Sequence, residues 1–310
     1  MEMAIELAVM KNVINLFSQK TQIESYLNLN STWLSSLSFI DLFLWQEFFD
    51  YDIQIIDNAL CVFAKSDLGA FLYWPPLGLQ IDAELIDKVW KKLLSYQPQG
   101  QGIARIENIS FDFKGILQGK RYTYHNKDFE YYYYKDDIIN LRGNKYKTQR
   151  WLYNCFIKNY QFEYKPFSAE MLDECMALYE AWGTERAEKY KSDDVYIEML
   201  KENKRIHKRA MRYFEELGLI GRVVIVDNKI QAYTFGYQLN DKTFCVLFEI
   251  TNLKLKGLSV FIFREFCKDI VWQALTFVNV MDGFGLDNVK KTKRSFSPVM
   301  IMPSFTLKVD

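Results

Sequence analysis

The spacing of apolar residues changes character several times along the chain, and each change marks an element. Residues 161–167 alternate apolar and polar and predict a short strand ending near Pro166. Ser168, with Glu170 behind it, then opens a helix through residue 180. A second, strongly charged helix is predicted over 193–217, stopped by Gly218. Strand-like runs at 221–226, 230–239 and 243–250 follow, separated by Asp227-Asn228 and Asn240-Asp241, dipeptides that suit tight hairpin turns. They predict an antiparallel meander. After Gly257 come an apolar-periodic helix (258–270), a strand (275–280), a glycine-containing turn, a short basic helix and a last strand (299–307).

The first half repeats this order behind its N-terminal helices. Residues 53–56, Asp57-Asn58 and 61–65 mirror 223–226, Asp227-Asn228 and 231–236, and the two turns share Ile-x-Asp-Asn at 55–58 and 225–228. Residues 71–74 stand for the third strand, 83–95 for the helix and 103–106 for the next strand, which puts Glu107 where Asp282 falls in the second copy. At 310 residues the chain also exceeds the ~250–300 over which a single core stops growing. The reading is a mixed α+β chain of two tandem domains, 1–145 and 161–310, with a connecting helix at 146–160 and a break at Gly143.

Composition narrows the partners. Formal net charge is +0, so affinity for nucleic acid or anionic lipid must come from local patches. Cys61, Cys155, Cys175, Cys245 and Cys267 form no CxxC pair, which argues against a zinc site or a disulfide frame and fits a reducing cytoplasm. The apolar N-terminal stretch carries Glu2, Glu6 and Lys11, reading as an amphipathic helix rather than a signal peptide, and no transmembrane segment is expected.

There is no GxSxG, HExxH, P-loop or GxGxxG, which excludes the usual signatures of serine hydrolysis, zinc hydrolysis and nucleotide chemistry. His207, among Lys204, Arg205, Lys208 and Arg209, is expected to be solvated. Basic residues cluster at Arg142, Lys145, Lys147 and Arg150; from Lys201 to Arg212; and at Lys290, Lys291, Lys293 and Arg294. Such groups suit phosphate or a nucleic-acid backbone, although for the second cluster helical spacing on a solvated face is the stronger explanation. Asp282, opening Asp282-Gly283-Phe284-Gly285, fits either a proton acceptor or a helix cap. Glu249, amid Val246, Leu247, Phe248 and Ile250, fits either a base with a raised pKa or a buried partner of a lysine. Tyr131 to Tyr134, with Tyr122 and Tyr124, reads as a stacking platform for bases or as an edge strand with one packed face.

Order and motifs together carry a resemblance. The element order resembles the GNAT acyltransferase fold, and its duplication is similar to the aminoacyl-tRNA-dependent transferases of the Fem type. Ser38-Phe39 with Leu42 to Trp45, the turn Pro75-Pro76-Leu77-Gly78, Asp137 to Gly143 running into Lys145 and Arg150, Tyr179 to Trp182, and Leu286 to Lys293 followed by Ser295-Phe296-Ser297-Pro298 resemble the DUF2156 family, which is similar to the C-terminal domain of phosphatidylglycerol lysyltransferase. The resemblance implies an amine or hydroxyl attacking an activated acyl group, and places Glu249, Gly257, Asn279, Lys290, Lys293 and Arg150 near the site. The residues themselves add Asp282 and Arg294. Family members commonly carry Lys where this chain has Ile250, and Arg-Glu where it has Val280-Met281. The expected donor is aminoacyl-tRNA, ranked above acyl-CoA because residues 252–258 offer only Gly257 for a pyrophosphate cradle. The acceptor is a small molecule, peptide or lipid. A non-catalytic binding protein on a degenerate scaffold and an acetyl-CoA-dependent N-acetyltransferase are the alternatives.

Overall fold

The computed structural model describes residues 16–29, 33–98, 102–114 and 122–309, so the helix expected around Glu2, Glu6 and Lys11 lies outside them. In chain order the elements are α1 (Lys20–Leu27), α2 (Phe39–Trp45), β1 (Asp50–Ile56), β2 (Ala59–Ser66), β3 (Gly69–Leu72), α3 (Ala83–Leu94), β4 (Ile106–Ile109), α4 (Phe111–Lys114) and β5 (Tyr122–Tyr134). There follow α5 (Lys135–Asn140), α6 (Lys147–Asn159), β6 (Glu163–Pro166), α7 (Leu172–Lys189), α8 (Asp194–Arg212), β7 (Ile220–Val226), β8 (Lys229–Asn240), β9 (Thr243–Thr251), α9 (Leu258–Lys268), β10 (Phe277–Asn279), α10 (Asp287–Ser295) and β11 (Met300–Val309).

Contacts divide the chain into two units, residues 1–129 with 302–310, and residues 130–301. The sequence reading set the first domain at 1–145 and kept 302–310 with the second. The division falls instead within β5, and β11 joins the first unit by pairing antiparallel with β4, Phe305 opposite Ile109.

In the first unit β1, β2 and β3 form an antiparallel meander, and β4 adds to β3 in parallel through Leu72 and Ile106. The amphipathic α3 covers this sheet with Leu85, Ile86, Val89 and Leu93, beneath which lie Phe63, Leu72, Ile106 and Leu307. The second unit repeats the plan. β6, β7, β8 and β9 are antiparallel, β10 joins β9 in parallel, and β10 pairs antiparallel with the end of β5. Here α9 packs on the sheet, with Phe261 and Leu258 against Val224, Ala232 and Phe156 of α6. The shared Ile-x-Asp-Asn segments are the same turn twice. Asp57 and Asn58 have φ of 45° and 63°, and Asp227 and Asn228 of 52° and 56°, the paired left-handed conformation of a two-residue hairpin that Asn and Asp tolerate.

Three expectations change. The strand expected at 103–106 starts at Ile106 and runs to Ile109; Glu107 and Asn108, polar yet buried, masked it. The tyrosine run is no edge: Tyr131, Tyr132 and Tyr133 are buried, with β10 on one side and Val299 donating to the Tyr132 carbonyl. His207 is not solvated. The 3.6-residue period of α8 places Tyr196, Leu200, His207 and Met211 on its inner face, a pattern hidden by charged neighbours. Among the described residues no helix is long and apolar enough to cross a membrane.

Candidate active site

The second unit opens where β9 and β10 part. Their parallel pairing runs through Phe277–Thr243, Val278–Phe244 and Asn279–Cys245, and then β10 ends while β9 continues to Thr251. Past Asn279 the chain stays with β5: Val280 donates to the Tyr131 carbonyl at 3.0 Å and Tyr131 donates to the Met281 carbonyl at 3.3 Å. On its other side β9 carries a bulge. Phe235 faces Phe248 while Gly236 faces Val246, leaving Leu247 without an opposite residue on β8. The bulge sits just beyond the point of divergence, so the backbone of β9 is re-aimed where the gap begins.

Glu249 lies on this diverging stretch, opposite Thr234. Its neighbour Phe248 stacks on the His207 ring, centroids 3.9 Å apart and 20° between planes. Strand alternation therefore turns Glu249 to the opposite face, toward α9, where it is close enough to raise the Cys267 thiol pKa. Glu249 makes no hydrogen bond or ion pair to any described residue, and burial pushes its carboxyl up to about 8. Part of its surface nonetheless remains accessible. A carboxyl held this way can take a proton near neutral pH. The alternative, a buried lysine partner, is not what the structure contains.

The turn after β10 is held by its own polar groups. Buried Asn279 donates to Glu130 and accepts from the Met281 amide, each at 2.5 Å. The Asp282 carboxylate accepts the Phe284 amide at 3.0 Å within the turn and caps no helix, since α10 begins at Asp287 with Leu286 before it. Lys293 reaches back from α10, and its ammonium donates to the Val280 and Asp282 carbonyls. Lys290 lays its aliphatic stem over Gly283, where a Cβ would collide with it. Asn279, Asp282, Lys290 and Lys293 are thus brought together around one turn, while Arg294 is exposed on α10.

The remaining candidates sit on supporting contacts. Arg150 donates to the Leu141 and Gly143 carbonyls, bracing the left-handed residue that ends α5. Gly257, at φ 89°, lies against the Leu152 carbonyl of α6 so closely that a Cβ would overlap it. Sequence reasoning missed Glu130, took Tyr133 only as part of the tyrosine run, and missed Tyr146 and Gln149. The last three donate to the carbonyls of Lys293, Phe296 and Ser295, at 2.8, 3.1 and 2.7 Å, fastening the end of α10. Only Glu130 left a sequence signal, a lone carboxylate in a buried aromatic run. Among the described residues no cluster of His, Cys, Asp and Glu could hold a metal.

The model of the phosphatidylglycerol lysyltransferase C-terminal family matches residues 29–306, nearly the whole chain. The chain belongs to that family. By family it is of the acyl- or aminoacyl-transferase kind. Solved structures agree on the fold: a conserved protein of unknown function from Bacteroides thetaiotaomicron (TM-score 0.80, 23% identical, covering 95% of this chain and 97% of that one) and L-PGS from Bacillus licheniformis (TM-score 0.61, 15% identical, 93% and 90%). A tandem GNAT protein of the clavulanic acid biosynthesis pathway also superposes (TM-score 0.51, 8% identical, 96% and 95%), in keeping with two GNAT-like units in this lysyltransferase-family chain. No curated protein matches.

Proposed function

We propose that the second unit transfers an activated acyl group, carried as an aminoacyl ester of tRNA, to an amine or hydroxyl acceptor, with Glu249 as proton acceptor. The observation that carries this reading is an unpaired carboxyl, raised to about 8 by burial, just past the last β9–β10 pair. The acceptor attacks the ester carbonyl carbon and its proton passes to Glu249; as the ester C–O bond breaks, Glu249 returns that proton to the departing ribose oxygen, which leaves as the hydroxyl. Amide groups of the bulged β9 segment suit the developing oxyanion. No covalent enzyme intermediate is needed.

In this reading Lys290 and Arg294 meet donor phosphates, while Asn279, Asp282, Lys293 and Arg150 hold the turns that frame the gap. Gly257 serves close packing: its nearest neighbour is the backbone of α6, which leaves little for a CoA pyrophosphate cradle and favours the tRNA ester over acyl-CoA. Small amines, peptides and lipids remain acceptors to test.

The test is a transfer assay with tRNA charged with labelled amino acids against a panel of amines, peptides and phosphatidylglycerol vesicles. Label should move to one acceptor class, and Glu249→Gln should slow it by ~100-fold or more. An unchanged rate in Glu249→Gln removes that residue from the chemistry. Binding of charged tRNA without transfer to any acceptor would mark a binding module instead.

A further inference from the structure

The outer face of α6 combines features that the proposed reaction does not use. Trp151 is 51% exposed, a large aromatic left in solvent, and the Lys256 ammonium lies 4.4 Å from its ring centroid. One turn before it stands Lys147 and two turns after it Lys158, both exposed and on the same side of the helix. α6 carries Lys147, Arg150 and Lys158 and no acidic residue. The adjoining segment 252–256 adds Lys254 and Lys256, also without an acid. Lys254 is ion-paired with Glu185 at 3.1 Å, whereas Lys147, Lys158 and Lys256 have no acidic partner among the described residues.

An exposed indole with one unpaired ammonium at its ring and two more along the same side of the helix suits a nucleotide: a flat π-surface for the base and cations for its phosphates. The place also fits. Lys256 precedes Gly257, the residue that opens α9, and the segment that carries it leaves β9 at Thr251, at the same end of the strand as Glu249.

We infer that Trp151, with Lys147, Lys158 and Lys256, forms a stacking site for a single-stranded nucleotide beside the acyl-transfer gap. The inference rests on the proposed reaction for its occupant, the single-stranded 3′ end of a tRNA. The same chemistry, a base plus phosphate, would be offered by the adenine nucleotide of CoA, so the two sources are separated by experiment.

The full-length protein is titrated with uncharged tRNA and, separately, with CoA over a range of salt. Variants are Trp151→Ala, Trp151→Phe and the double Lys147→Ala/Lys256→Ala, all at exposed positions, with thermal unfolding to confirm folding. Trp151→Ala should weaken tRNA binding roughly tenfold or more, with Trp151→Phe recovering part of the loss. The double lysine variant should flatten the log–log salt slope by about 0.7–0.9 per lysine removed. Wild-type binding of tRNA with unchanged affinity in Trp151→Ala and an unchanged slope in the lysine pair overturns the site and leaves the donor reading standing. Trp151-dependent binding of CoA with none of tRNA keeps the site and overturns the tRNA donor. Binding of neither overturns both.

Discussion

Cys245 and Asn279 face each other on the last rung that β9 and β10 share, the Cys245 thiol 3.9 Å from the Asn279 amide oxygen. On one side of this pair the sheet is closed and buried. On the other the strands separate, and the residue that β9 presents there with no partner is Glu249. The same pair thus marks where structure ends and chemistry is proposed to begin.

The first prediction concerns pH and rate. With the Glu249 carboxyl raised to about 8 by burial, its base form accumulates only above neutrality, so transfer should climb with pH to a limb near 8. Glu249→Gln should abolish that limb as well as slow the reaction. A pH–rate profile of both proteins checks it.

The same group predicts an opposite trend in stability. The folded value lies above the ordinary carboxylate value, so between about 4.5 and 8 the unfolded chain releases a proton that the folded chain keeps. Stability from this site is greatest below that window and falls as pH rises through it. Glu249→Gln should therefore match wild type in melting temperature near pH 4.5 and exceed it near pH 8.

His207 titrates with the other sign. Burial pushes its imidazole down to about 3, so it stays neutral in the folded protein, its Nδ1 2.9 Å from the Tyr233 hydroxyl. Below the ordinary histidine range the unfolded chain takes up a proton that the folded one refuses. This should cost a few kcal/mol (roughly 1.4 per pKa unit) as pH falls from about 6.5 toward 3. His207→Phe should flatten this acid slope, measured by denaturant unfolding across pH.

Lys293→Ala should loosen the turn after β10. It removes a charged donor from two carbonyls, worth about 1.5–3 kcal/mol for such a bond, so both stability and turnover should fall. Lost turnover at undiminished stability would instead put the ammonium on substrate.

Gly257→Ala should cost roughly 3 kcal/mol or more, because the new Cβ meets the Leu152 carbonyl in a backbone conformation that alanine disfavours. Chemical denaturation reads it directly. A small effect would mean that α6 yields easily.

What could be read beforehand was what repeats locally. Alternation at 221–226 and 243–250, and the paired Asp-Asn turns, gave the meanders because sheet faces and hairpins imprint themselves on neighbouring residues. β4 was misplaced because Glu107 breaks the apolar run. Its carboxyl is buried, which alone would raise its pKa, but Lys127 at 2.7 Å and Arg105 outweigh that and hold it below the usual range. Such compensation joins residues far apart in sequence. Glu249 was legible because four apolar neighbours announced its burial. The tasks of Lys293 and Arg150 were not, since a lysine that ties carbonyls looks in sequence like one that awaits a phosphate.

β11 completes the sheet of the first unit, where Leu307 is fully buried with Phe63 and Ile106. During synthesis, residues up to 129 would leave the ribosome with that side of β4 uncovered, and must wait for about 170 more before the covering strand arrives. At ~5–20 residues per second that is a delay of roughly ten to thirty seconds. For this interval the unit made first is the one left unfinished, a natural client for a chaperone. Premature termination ahead of residue 302 would harm the beginning of the protein rather than its end.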